Sequence, residues 1–167
     1  NSLSFTVSGS ELEITSAGVL TFASAPNYET KSSYTATLTV TDSTVSTTQV
    51  VTVNVNDVND APVFTSSATL SAAENQTSIG TLAASDEDGN SVSFTISGSE
   101  LSITSAGVLT FASAPDYETK SSYTATVTAN DGTVSITQDL TVNIADINEA
   151  PSFSSSASFS AEENQTA

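Results

Sequence analysis

Five loops of this sequence crowd oxygen-bearing side chains together: Glu74-Asn75, Asp86-Glu87-Asp88-Gly89-Asn90, Asp116-Tyr117-Glu118, Asn130-Asp131-Gly132 and Asp146-Ile147-Asn148-Glu149. A further run, Asp57-Val58-Asn59-Asp60-Ala61-Pro62, stands 89 residues before the last of these and copies it with small changes. Taken singly, each run reads as a solvated turn, because Asp and Asn hydrogen-bond their own backbone and Gly accepts left-handed angles. Taken together, they read as a ligand supply. A hard cation such as Ca2+ takes about six to eight oxygens from carboxylates, amide side chains, backbone carbonyls and water. The run from Asp86 to Asn90 offers alternate oxygens on one side of a tight loop. Carboxylates packed this densely without a cation would have raised pKa values and would weaken the fold.

Charge points the same way. The formal net charge is −17, from 19 acidic residues against two lysines, Lys31 and Lys120, with no Arg. Such an imbalance opposes a compact state by self-repulsion, which bound divalent cations would relieve. It also argues against nucleic acid and anionic membranes as partners, since phosphate recognition needs a basic face. No apolar run is long enough to cross a bilayer, so no membrane insertion is expected of this segment. The absence of His and Cys removes the common nucleophile–base pairs. A carboxylate pair could serve a glycoside hydrolase, but these carboxylates cluster at loop ends and Trp is absent, so no enzymatic activity is expected. Without Cys there are no disulfides, and their absence is compatible with secretion.

The elements that would position these loops follow from an internal repeat. Ser4-Phe5-Thr6-Val7 returns as Ser93-Phe94-Thr95-Ile96, Ala25-Pro26-Asn27-Tyr28-Glu29 as Ala114-Pro115-Asp116-Tyr117-Glu118, and Glu74-Asn75-Gln76-Thr77 as Glu163-Asn164-Gln165-Thr166, always 89 residues apart. Residues 63–151 form one complete unit. Residues 1–62 match 90–151, without the counterpart of 63–89, and residues 152–167 match 63–78 as the first strand of a third copy. The chain reads as a window on a longer array. Within the complete unit the apolar spacing is two, not 3.6. Strands are expected at 66–72, 79–84, 91–97, 100–104, 108–112, 121–130 and 134–145, with a hairpin turn at Ser105-Ala106-Gly107. Gln138 interrupts the apolar parity of Ile136, Leu140, Val142 and Ile144, which predicts a bulge or an edge position there. The fold class is therefore all-β: tandem seven-stranded Greek-key β-sandwiches, end to end. In that strand order, Asp86–Asn90 and Asp131 fall at the end where the preceding linker enters. Glu74, Asp116–Glu118 and the outgoing linker fall at the other end.

These motifs together resemble the cadherin repeat, in the bacterial cadherin-like form of very large surface adhesins. The matching pieces are Ala73-Glu74-Asn75, Ala84-Ser85-Asp86-Glu87-Asp88, Gly107-Val108-Leu109, Pro115-Asp116-Tyr117-Glu118, Asn130-Asp131-Gly132 and Asp57-Val58-Asn59-Asp60-Ala61-Pro62. At the first junction the resemblance implies calcium ligands from Glu29, Asp57, Asn59 and Asp60, meeting Asp86, Asp88 and Asp131. Carbonyls of Val58, Ala61 and Asn90 would join them. At the second junction it implies Glu74, Asp116, Glu118, Asp146, Asn148 and Glu149. Three departures bear on this: Asn27 stands where the later copy has Asp116, Glu149 where the earlier copy has Asp60, and Ser43 where the later copy has Gly132.

The resemblance implies an extracellular, calcium-rigidified stalk or spacer of a bacterial adhesin or surface fibre, on a secreted protein. Its partners would be neighbouring repeats of the same chain. Two alternatives stand beside it. One is an adhesive module, homophilic or for carbohydrate, which would need an exposed aromatic or apolar patch. The other is a homo-oligomeric fibre in which residues 152–167 add their strand to the first unit of another molecule. Asn75-Gln76-Thr77 and Asn164-Gln165-Thr166 also fit a glycosylation acceptor pattern, but read better as part of the Glu-Asn motif.

Overall fold

A computed structural model describes residues 2–155, 157, 158, 160, 161 and 163, all in strands, turns and loops without helix. The first stretch holds β1 (Ser4–Val7), β2 (Leu12–Ile14), β3 (Leu20–Phe22), β4 (Ser33–Thr41) and β5 (Ser46–Asn54). The second holds β6 (Val63–Phe64), β7 (Thr69–Ala73), β8 (Ser78–Thr81), β9 (Ala84–Ser85) and β10 (Ser93–Ile96). It continues with β11 (Leu101–Ile103), β12 (Val108–Phe111), β13 (Ser122–Asn130) and β14 (Ser135–Ala145). Among the described residues, no strand before Pro62 pairs with a strand after it.

In the second stretch two sheets face each other as a sandwich. One has the order β10-β13-β14-β7, the other β11-β12-β8, extended by the β6-β9 pair. Alternation dictates the arrangement. Along β13 and β14, Val127, Ala129, Leu140, Val142 and Ile144 turn inward and are buried, while Thr and Ser take the outer positions, as suits a half-solvated sheet. Leu82, Phe94, Leu101, Leu109 and Phe111 complete the core. Phe64 packs against Phe94 with ring centroids 6.2 Å apart. Each lysine is stacked on a tyrosine and paired with a glutamate: Lys120 Nζ lies 4.4 Å above the Tyr123 ring and 2.6 Å from Glu100, a surface contact worth at most about 1 kcal/mol.

The structure corrects the expected strand bounds. The first strand does not run over 66–72. It is β7, which starts at Thr69 and pairs parallel with β14, and it is preceded by β6, which was not expected and pairs antiparallel with β9. Between them Thr65 N and Ser66 N both donate to Ala83 O, so the chain crosses from one sheet to the other and ties the two layers together. The expected second strand over 79–84 is divided into β8 and β9. Gln138, expected at a bulge or an edge position, makes no bulge: the β13–β14 register runs unbroken from Ser122↔Asn143 to Asn130↔Ser135. It does lie on an open edge, because β7 accompanies β14 only from Thr141 to Ala145. The register shift falls instead between Leu109 and Thr110, where β12 meets β8.

The first stretch repeats these pairings. Phe5↔Val40 and Val7↔Leu38 in β1–β4 mirror Phe94↔Ala129 and Ile96↔Val127 in β10–β13. Its buried hydrophobics are only Leu12 and Ala36. The inner side of its sheet forms a groove of about 160 Å3 lined by Phe5, Leu38, Val40, Thr47 and Gln49. Among the described residues after Ala150 there is no strand, and Phe153 is 98% exposed. The rest of that segment, including the Asn164-Gln165-Thr166 motif, lies outside the described residues.

The expected hairpin turn is present, closed by Gly107 N donating to Thr104 O at 2.9 Å. Gly107 has φ +86°, and a Cβ there would stand 2.3 Å from Leu82 O. Gly18 has φ +82°, but its Cβ would only touch the Phe5 ring at 3.4 Å. Gly107→Ala is therefore expected to destabilise by at least about 2 kcal/mol, and Gly18→Ala by about 1 kcal/mol from conformation alone. Urea unfolding of the two variants side by side measures the difference.

Candidate cation-binding junctions

Three loops meet at the linker 57–62. Pro62 is fully buried and fixes where the linker docks on the second sandwich. From there Asp60 N donates to Asp88 Oδ2 at 2.8 Å. Asn59 Nδ2 donates to Asp131 Oδ2 at 2.9 Å and to Asp60 O at 2.6 Å. Asp131 is held from behind by Thr133 N and Val134 N, both donating to Oδ1 at 2.6 Å. Asp86 Oδ1 accepts from Asn90 N at 3.1 Å and so shapes the 86–90 loop. Carboxylate oxygens of Glu29, Asp57 and Asp88 lie within 4.8 Å of one another. The structure thus gathers Glu29, Asp57, Asn59, Asp60, Asp86, Asp88 and Asp131 at one junction. Val58 is 77% exposed, and Asn90 enters through its N–H; for the carbonyls of Val58, Ala61 and Asn90 no partner is seen.

Two oxygens here stand out. Asp86 Oδ2 and Asp88 Oδ1 are buried and have no hydrogen-bond partner. A buried carboxylate oxygen with nothing to accept from is costly. Oxygens of this kind are the ligands that a hard divalent cation takes.

Electrostatics reports the crowding. Burial lifts the Asp60 carboxyl above its ordinary range, and the charges of Glu87, Asp88, Asp86 and Asp57 push in the same direction. At Glu29 a backbone hydrogen bond pulls downward, but desolvation, a hydrogen bond with Asp88 and the charges of Asp88 and Asp57 leave the group raised. Asp131 is the exception. The Asn59 amide, with the Val134 and Thr133 N–H groups, holds it below its usual value.

At the far end of the second sandwich a second group forms. Glu74, Glu118, Asp146 and Glu149 bring carboxylate oxygens within 4.8 Å of one another. Glu74 is 2% exposed, and its two oxygens accept from Tyr117 N at 2.8 Å and Ile147 N at 2.7 Å. It therefore stitches the 115–118 loop to the outgoing linker. Asn75, at φ +62°, donates to Glu149 at 3.1 Å. A backbone hydrogen bond lowers Glu118, but desolvation and the charges of Glu149, Glu74 and Asp146 leave it raised. Asp116 is outside this group, its Oδ1 accepting from Thr119 N, and the Asn148 amide donates to Glu149 O. In the first stretch the equivalent corner is a cleft of about 250 Å3 lined by residues that include Tyr28, Glu29, Val58 and Asp60.

One contact was not expected from sequence. Asn27 Nδ2 donates to Glu87 Oε1 at 3.1 Å across the junction, while Asn27 Oδ1 accepts from Thr30 N at 2.7 Å. An Asp at this position, as at 116, has no proton to offer Glu87. The Asn27/Asp116 difference is visible in the aligned copies, but its partner 60 residues away is not.

Residues 59–145, just over half of the chain, match the family model described as a bacterial Ig domain. The chain belongs to the bacterial Ig domain family. No curated protein matches it. Among solved structures this bacterial Ig chain is similar to protocadherin gammaB7 EC3-6, described as a cis-dimer, at 29% identity and TM-score 0.60, over 86% of this chain and 41% of that one. It shares its fold with human protocadherin-24 EC1-2 at 22% identity and TM-score 0.64, covering 89% of this chain and 84% of the other. The same holds for Drosophila N-cadherin EC1-4 at 21% and 0.64, covering 86% and 41%. The bacterial Ig chain thus spans 41% of the length of the gammaB7 structure, and its fold is that of extracellular cadherin repeats. No helix among the described residues is long and apolar enough to cross a membrane.

Two outcomes follow. Glu74→Ala leaves the Tyr117 and Ile147 N–H groups without acceptors in a buried corner and should lower unfolding free energy by roughly 2–4 kcal/mol, read by chemical denaturation. The second is a pH profile in chelator. Asp60, Glu29 and Glu118 have raised folded pKa values, so they bind protons more tightly folded than unfolded. They oppose folding at neutral pH, and that opposition fades as pH falls through their raised values. Asp131 runs the other way: its stabilisation is present above its unfolded pKa and is lost as pH falls through its depressed folded value. The melting temperature should therefore rise as pH falls from neutral through the raised values of Asp60, Glu29 and Glu118, and fall at still lower pH as Asp131 is protonated, as followed by differential scanning calorimetry.

Proposed function

We propose that this chain is a calcium-stiffened spacer in the extracellular stalk of a bacterial adhesin or surface fibre, with a mechanical rather than a catalytic role. The observation that carries the reading is the pair of buried, partnerless oxygens, Asp86 Oδ2 and Asp88 Oδ1, in a junction that also gathers Glu29 and Asp57. Glu29, Asp57, Asn59, Asp60, Asp86, Asp88 and Asp131 would hold the ions there, with carbonyls from Val58, Ala61 and Asn90. Glu74, Asp116, Glu118, Asp146, Asn148 and Glu149 would supply one side of the next site. Ca2+ held there would supply positive charge against the carboxylate repulsion, with the ligating residues drawn from both sides of Pro62.

The corresponding units are 1–62, 63–151 and the first strand of a third at 152–167. Support for the first boundary is the lack of strand pairing across Pro62 among the described residues and a family match that begins at residue 59; the same match ends at 145, before the second linker. Affinities of extracellular calcium modules lie near 10⁻⁴–10⁻³ M, to order of magnitude, so the junctions would fill in calcium-rich surroundings and empty in chelator. A second reading is strand exchange between chains, favoured by the groove along Phe5, Leu38 and Val40 and the 98% exposure of Phe153.

Calcium at about a hundred times its dissociation constant should stabilise by about 2.7 kcal/mol per site. Asp88→Asn should remove most of that gain while changing stability in chelator little or upward. Calorimetry gives the stability, and X-ray scattering with and without chelator gives the stiffness. A scattering profile and melting temperature both indifferent to calcium would remove the proposal.

A further inference from the structure

The second sandwich and the first stretch differ at one place on an open strand edge. In the second, β7 covers β14 only from Thr141 to Ala145, leaving Ser135–Leu140 without a neighbour on that side among the described residues. By the repeat's own offset, a strand placed like β7 beside β5 would begin at Thr52. Ser46–Val51 is therefore an open half-edge by the geometry of the repeat. Unpaired N–H and C=O groups along such an edge are a template for another strand.

The second sandwich guards its edge. Asp139 is the single charged residue in its β10-β13-β14-β7 sheet, and its Oδ1 accepts from Thr126 Oγ1 at 2.9 Å. The equivalent residue on β5 is Val50, 66% exposed. The segment Ser46-Thr47-Thr48-Gln49-Val50-Val51 has no charge, no Pro and no Gly, and half of it or more is β-branched, a composition that favours strand pairing. The whole β1-β4-β5 sheet carries no charged side chain.

We propose that Ser46–Val51 pairs antiparallel with the same segment of a second copy, joining two chains side by side. Charge selects the occupant. At a net charge of −17, most of this surface repels another copy of itself, and this sheet is where two copies approach without opposing carboxylates. Asp42, at the β4–β5 turn, is the only charged residue between 32 and 56. An antiparallel edge pair obeys two-fold symmetry, so one segment serves both partners. The contact is small, below the size of a stable interface, so a single pair is weak and gains strength where several copies lie along parallel fibres. It needs no cation and is independent of the calcium reading.

Sedimentation velocity of the 167-residue chain over a wide concentration range, in chelator, tests it. The sedimentation coefficient of the unaltered chain should climb with concentration. Val50→Asp places there the residue already tolerated at 139 and should weaken self-association by about tenfold or more, with an unchanged circular dichroism spectrum. Val50→Thr, uncharged and β-branched, should retain association, and Asp139→Val should open a second edge and strengthen it. Amides of 46–51 should exchange more slowly at high concentration. A concentration-independent sedimentation coefficient, association undiminished by Val50→Asp, or loss in Val50→Thr as complete as in Val50→Asp would each overturn the proposal.

Discussion

Repulsion between carboxylates at the ends of the sandwich is the constraint to which the rest of the molecule answers. The sheets themselves are almost without charge, and the acidic residues are concentrated in the loops that cap them. Protein hydrogen bonds meet part of the demand: Asn59 on Asp131, Asp60 N on Asp88, Asn27 on Glu87. These donors are too few for the oxygens gathered. Asp86 and Asp88 each keep a buried oxygen that no group among the described residues satisfies, and the same crowding raises the pKa values of Asp60 and Glu29. Oxygens gathered in this way are of the type that small, hard, doubly charged ions take as ligands.

The two corners of the second sandwich solve that problem differently. At the 57–62 linker the carboxylates come from both sides of Pro62, so neutralising them also fixes one body against the next. At the 146–149 linker, Glu74 is already committed to two backbone N–H groups. It acts first as a structural stitch and only then as a source of negative charge. One residue type in one cluster therefore plays two roles, set by burial and by the donors in reach.

How much of this could be read from the chain alone depends on range. Alternation in 121–130 and 134–145 gave β13 and β14 to within a residue, because every inward position but Gln138 is filled by an apolar side chain that nothing else explains. Gly107 announced its turn because the backbone there needs a positive φ. The break between β6 and β7 was hidden: Thr65-Ser66-Ser67-Ala68 are small side chains that suit strand or turn alike, and what parts the two strands is Ala83 O accepting from Thr65 and Ser66. Gln138 was legible only as a choice between two placements. A polar residue on an inward parity suggests a bulge, but an open edge excuses it just as well. At the junctions, residue types showed which groups would converge. They could not show that Asp116 turns away to cap Thr119, or that Asn27 reaches Glu87, since these are choices among several possible partners in three dimensions.

The parallel pairing of β7 with β14 has a mechanical meaning. Thr69–Ala73 enters from the incoming linker and Thr141–Ala145 leaves toward the outgoing one, and they run side by side in the same direction. A pull on the two linkers slides these strands past each other lengthwise. The load falls on all their rungs at once and cannot peel them one by one, so the first strand to be tugged is also fastened in the direction of the tug.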